Sequence, residues 1–85
     1  MASNHQADVP ALAEALARML VEHPDEVEVD VVEESERSLE LELYVAEEDM
    51  GHVIGRSGRT ARCLRNILSA AASKLDKRCS LDIVE

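Results

Sequence analysis

Two glycines stand three residues apart in the segment Val53-Ile54-Gly55-Arg56-Ser57-Gly58-Arg59, with one arginine between them and another directly after. Lacking Cβ atoms, Gly55 and Gly58 let a foreign backbone come within hydrogen-bond reach of main-chain N–H groups. A helix starting just past Gly58 would turn its positive end to the same point, and Arg56 and Arg59 add mobile charge. The chemistry this suits is the holding of a sugar-phosphate chain, although a plain helix-helix turn uses glycines in the same way. His52, just before the segment, either touches such a ligand or is simply exposed. Arg62 and Arg65 form either a phosphate track or a solvated face.

No comparable constellation supports catalysis. His5 falls in a small, polar leading segment, His23 before a proline and His52 beside the glycines, so no histidine, cysteine and carboxylate converge in sequence. Neither a Walker loop nor a dinucleotide fingerprint is present, and no catalytic residue, cofactor, small-molecule substrate or metal is expected. Cys63 and Cys79 lack CxxC spacing and read as small core residues rather than a disulfide, a zinc site or reactive thiols. With no secretory signal and no long apolar run, the cytoplasm is the expected compartment and no membrane association is expected.

The elements that must hold the loop are legible in the hydrophobic period. Val9, Leu12, Ala13, Leu16, Ala17, Met19 and Leu20 recur at steps of three and four, predicting an amphipathic helix over 9–22 that Asp8 caps and Pro24 ends. The period then falls to two. Val27, Val29 and Val31, then Leu39, Leu41, Leu43 and Val45, alternate with acids, which predicts two strands joined through 33–38 with a carpet of carboxylates on the open face. A short helix over 46–54 precedes the glycines, and a long one over 59–75 follows. On the long helix the apolar arc, from Cys63 and Ile67 round to Ala61, covers about half the circumference, wider than a core-facing stripe of ~100° needs. Its surplus edge is free to line a groove or a subunit contact. Lys74, Lys77 and Arg78 suit the C-terminal end of that helix. Cys79, Leu81 and Ile83 close the chain as a third strand.

The expected architecture is therefore α+β in two layers, with order α-β-β-α-α-β and three helices on one face of a three-stranded sheet. The 85 residues leave room for one core, built without Phe or Trp and with Tyr44 as the single aromatic. Charge is strongly divided. Residues 1–50 carry 15 acids and 2 bases, net −13, and residues 51–85 carry 3 acids and 7 bases, net +4, for the chain total of −9. Bulk attraction to nucleic acid is excluded, so any such binding must be local to the basic half.

A GxxG loop between two helices, inside a strand-helix-helix-strand frame and preceded by Ile54, resembles the KH domain, whose loop clamps four nucleotides of a single strand. The leading helix and strand correspond to the type II arrangement. The runs His23-Pro24-Asp25-Glu26-Val27-Glu28-Val29, Val45 to Gly55 and Leu81-Asp82-Ile83-Val84-Glu85 are similar to the KhpA family of small stand-alone bacterial KH proteins. Residues 1–8, small and polar, are expected to form a flexible tail, and the resemblance implies one KH domain over 9–85. It implies a non-catalytic RNA-binding protein, acting in post-transcriptional regulation as a homodimer or with a KhpB-like partner. By resemblance Gly55, Arg56, Ser57 and Gly58 clamp the RNA backbone. His52, Val53, Ile54, Arg59 and Arg62 complete the expected site, with bases against an apolar groove between Val53, Ile54, one edge of the long helix and the neighbouring strand. Aspartates at Gly55 and Gly58 are expected to abolish binding and spare the fold. A second reading keeps the same frame as a protein-interaction adapter for dimerisation, with charged variants of Ile67 or Leu68 as its probe.

Overall fold

The computed structural model describes residues 8–84. The expected tail therefore lies outside the described residues except for Asp8, and Asp8 belongs to the fold. Its Oδ1 accepts a hydrogen bond from the Ala11 N–H at 3.1 Å, and with Pro10 in the first turn it starts α1 (Val9–Leu20). The helix ends two residues before the expected 22, because the N–H groups of Glu22 and His23 turn away to the carboxylate of Asp49. Pro24 then opens a single 3-10 turn over Pro24–Glu26.

The two alternating segments form β1 (Glu28–Glu34) and β2 (Ser38–Tyr44), antiparallel, with Glu28 opposite Tyr44 and Glu34 opposite Leu39. Ser35 closes the hairpin: its N–H donates to the Ser38 carbonyl at 2.9 Å, and the two hydroxyls lie 2.8 Å apart. An irregularity between Val31 and Glu33 slips the register, so β1 runs three residues beyond the last predicted valine and leaves Val32 52% exposed. The last strand, β3 (Arg78–Val84), pairs parallel to β2, with Ser38 opposite Arg78 and Tyr44 opposite Val84. The sheet order is β1-β2-β3. A parallel partner cannot follow from a tight turn, so the whole glycine loop and the helices around it lie in the crossover from β2 to β3.

Those helices are α2 (Met50–Ile54), preceded by a 3-10 turn over Glu47–Asp49, and α3 (Arg59–Ser73). Leu39, Leu41 and Leu43 of β2 and Leu81 of β3 are buried against Val9, Ala13 and Ala17 of α1, Val53 of α2, and Leu64, Leu68 and Ala72 of α3. Each fully buried leucine contributes about 2 kcal/mol by leaving water. The core holds no aromatic, and alanines at helix positions let the backbones approach the sheet closely.

The opposite face is acidic. Asp30, Glu42 and Asp82 lie side by side across the three strands, and Glu33 lies opposite Glu40. Like charges in cross-strand register cost stability, so this face repels both itself and any polyanion.

Cys63 corrects the expected core: it is exposed. The burial on α3 is narrower than the apolar arc, confined to Ala61, Leu64, Leu68 and Ala72. Cys63 and Ile67, the latter 44% exposed, instead form with Leu16, Met19 and Leu20 of α1 a shallow apolar groove of about 180 Å³. Cys79 is half-buried against the core, closer to its expected place.

Candidate nucleic-acid interface

The loop is built from backbone conformations that few side chains tolerate. Gly55 ends α2 at φ 77°, ψ 173°, with its N–H donating to the Gly51 carbonyl at 2.9 Å. Ser57 (φ 57°) and Gly58 (φ 73°) are left-handed, and the Gly58 N–H returns to the Gly55 carbonyl at 3.1 Å. Gly58 is the N-cap of α3 and has no side chain to cover the first turn, so that end of the helix stays open.

The two glycines do different work. A Cβ on Gly58 would meet nothing within 4 Å, which leaves its face open to a ligand. A Cβ on Gly55 would lie 2.7 Å from the Cβ of Thr60 and 2.9 Å from its backbone N. The space at Gly55 is therefore filled by the protein itself, and the notch is open at Gly58 alone. Replacing both glycines by aspartate would disturb the fold through Gly55, contrary to the sequence-based expectation.

Around the notch, Arg56, Ser57, Arg59, Arg62 and His52 are exposed, while Ile54 is half-buried. Among the described residues none of Arg56, Arg59 and Arg62 joins an ion pair, so their charge is available to a phosphate. Val53 is 0% exposed and leaves the expected contact surface: it seats α2 on the core. The apolar floor next to the loop is made by Ile54 with Met50 and Val45, in a cavity of about 530 Å³ that Glu47 also borders.

Asp49 is the functional support that sequence reasoning missed. It is 1% exposed, and its carboxylate accepts from Glu22 N–H at 3.1 Å, His23 N–H at 3.0 Å and His23 Nδ1 at 3.0 Å. Burial by itself would push its carboxyl pKa up, but these donors and the His23 charge outweigh it and hold the acid below its usual range. His23 moves the other way, raised chiefly by the hydrogen bond to Asp49. The pair ties the end of α1 to the start of α2 and so fixes the helix that carries Ile54 and Gly55. Glu22, Asp49 and His52 could each turn a ligating atom to one point, within 4.8 Å of one another. Three N–H donors already occupy the buried carboxylate, which makes it a brace between chain segments.

Arg65, expected with Arg62 to form either a phosphate track or a solvated face, is exposed, and its Nε donates to the Leu81 carbonyl of β3 at 3.0 Å. No helix among the described residues is long and apolar enough to cross a membrane.

Comparison with known proteins agrees with this geometry. The family model described as KhpA/KhpB, KH domain, matches residues 10–83. The chain is 47% identical over 74 residues to the RNA-binding protein KhpA of Halalkalibacterium halodurans, covering 87% of this chain and 96% of that one. Against the RNA-binding protein KhpA of Clostridium acetobutylicum it is 49% identical over 73 residues, 86% of this chain and 96% of the other. Against that of Borreliella burgdorferi it is 43% identical over 74 residues, 87% and 89% of the two chains. No solved structure gives a significant match. With a mixed three-stranded sheet, three helices on one face and a GxxG loop in the crossover, the chain belongs to the KhpA/KhpB family of KH domains.

Proposed function

We propose that this protein is a non-catalytic, cytoplasmic RNA-binding protein of post-transcriptional regulation. The backbone of a single strand lies against the open face of Gly58, with its phosphates beside Arg56, Arg59 and Arg62. Its bases rest on the apolar floor of Ile54, Met50 and Val45. The observation that carries this reading is the notch at Gly58, where nothing approaches an added Cβ, beside arginines without ion pairs and on the face away from the acidic sheet. The names of the relatives, RNA-binding protein KhpA, support it.

Tyr44, the single aromatic, donates its hydroxyl to Glu42 in the acidic half, so bases gain no stacking partner from it and binding rests on backbone and apolar contact. Neutralising about three phosphates gives a slope of log K on log salt near −2 for a single strand. Fluorescence anisotropy of a labelled single-stranded RNA should then weaken roughly tenfold to twentyfold between about 50 and 200 mM salt. Salt-independent binding, or none at low salt, contradicts the proposal.

The exposed groove between α1 and α3 favours a second copy or a KhpB-like KH protein as partner. Met19 is 74% exposed there and Ile67 44%, on a chain whose core is small. If the frame served only as an adapter, crosslinking in cells would recover the partner and no RNA.

A further inference from the structure

The brace at Asp49 has one acceptor position left. Oδ2 takes both the backbone N–H and the Nδ1 of His23, each at 3.0 Å, whereas Oδ1 takes the Glu22 N–H alone, at 3.1 Å. A carboxylate oxygen has room for two such bonds, so Oδ1 keeps a lone pair. Two exposed side chains converge beside it. Glu22 brings a carboxylate from the segment after α1, and His52 brings an imidazole from α2, three residues on from Asp49 and on the same side of that turn. One ligating atom from each of the three residues lies within 4.8 Å of the other two. Among the described residues the Glu22 carboxylate and the His52 ring have no hydrogen bond or ion pair, so both are free to turn toward a common point.

We infer that Glu22, Asp49 and His52 form a site for a divalent ion of the zinc type, held by one imidazole nitrogen and two carboxylate oxygens. Zinc accepts this mixed donor set at about 2.0 to 2.2 Å, with a fourth position left to water. Calcium and magnesium fit less well, because they take oxygen donors and six or more ligands. Around a tetrahedral ion of that size two ligand atoms stand about 3.4 Å apart, so the outer two ligands must swing inward by roughly 1.4 Å. Their exposure gives them that freedom. The buried ligand needs no movement: carboxylates that bind metals are ordinarily oriented by outer hydrogen bonds, and the Glu22 and His23 N–H groups orient Asp49 before any ion arrives. Both carboxylates belong to the first fifty residues, where 15 acids against 2 bases draw cations in. Glu22 lies 27 residues from Asp49, which is why no local spacing announces the set. Once loaded, the ion staples the end of α1 to α2 just ahead of Gly55.

The test titrates zinc chloride into the full chain, first stripped with EDTA, by isothermal calorimetry on wild type, His52→Ala, Glu22→Gln and Cys63→Ser. Wild type and Cys63→Ser should bind one ion with equal affinity. Losing either exposed ligand should weaken binding at least as much as losing an outer hydrogen-bond partner does, about tenfold to a hundredfold. Melting in EDTA should be alike in all four proteins, and zinc should raise it in wild type far more than in His52→Ala. Cobalt(II) in place of zinc should give a visible spectrum without a thiolate charge-transfer band. No zinc binding by wild type overturns the assignment, as does equal affinity in His52→Ala and Glu22→Gln, the mark of an adventitious ion only. Binding lost in Cys63→Ser, or a thiolate band with cobalt, moves the ion to a cysteine and overturns it too.

Discussion

Thr60 occupies the space that a side chain at Gly55 would need: an added Cβ would lie 2.7 Å from Thr60 Cβ and 2.9 Å from Thr60 N. The contact joins the last turn of α2 to the first turn of α3 and sets the width of the loop between them. Gly55→Ala should therefore cost about 3 kcal/mol, from overpacking together with the left-handed φ. Gly58→Ala, open and in the milder αL conformation (φ 73°, ψ 15°) rather than the extended positive-φ one of Gly55 (φ 77°, ψ 173°), should cost only about 1 kcal/mol. Urea denaturation followed by circular dichroism distinguishes them, and Thr60→Ala in the Gly55→Ala background should recover part of the loss. Equal costs at the two glycines would contradict the assignment.

The His23–Asp49 pair makes stability depend on pH. A histidine whose folded pKa is raised contributes fully below its unfolded value of 6.5 and loses that contribution as pH rises through the folded one. An acid whose folded pKa is lowered contributes above its unfolded value of 3.8 and loses it as pH falls through the folded one. The pair supports the fold most between those two values. The melting difference between wild type and His23→Gln should be largest between those two values and shrink as pH rises through the raised pKa of His23. A gap that stays constant over that range means that the pair is not the source.

Tyr44 gives a spectroscopic reading of the acidic sheet face. Its hydroxyl donates to Glu42 Oε1 at 2.6 Å, and that bond, with burial and the charges of Glu42, Asp30 and Glu28, raises its pKa from 10.0 to about 12. As the only aromatic residue it can be followed alone by ultraviolet absorbance. Glu42→Gln should bring the midpoint down toward the ordinary value. A wild-type midpoint already near 10 while the fold persists would contradict this contact.

Ile67 and Leu68 are neighbours with opposite exposures, 44% and 1%. Ile67→Glu should turn a dimer into a folded monomer in sedimentation, whereas Leu68→Glu should unfold the chain by placing a charge in the core. A wild type that is monomeric at every practical concentration removes the support for a second copy on this groove.

Much of this was legible in the chain because it is local. The alternation of Leu39, Leu41 and Leu43 with acids dictates one buried face, and the spacing of Leu64, Leu68 and Ala72 dictates the side of α3 that meets it. What escaped depends on distant neighbours. Cys63 lies inside an apolar arc, yet α1 stops short of covering it. Asp49 looked like one more acid at a helix start, and only His23, 26 residues away, gives it a partner. Arg65 sits on the polar half of its helix by period, and its bond to Leu81 exists because β3 returns parallel to β2.

The central claim is that the open side of the loop holds RNA, and replacing its two exposed middle residues tests it most directly. Arg56→Asp with Ser57→Asp avoids Thr60, and aspartate accepts the left-handed conformation at position 57 better than most residues. Anisotropy of a labelled single-stranded RNA should show binding by wild type and none by the double variant, with denaturation midpoints that differ little. Equal RNA affinity in the two proteins would contradict the account.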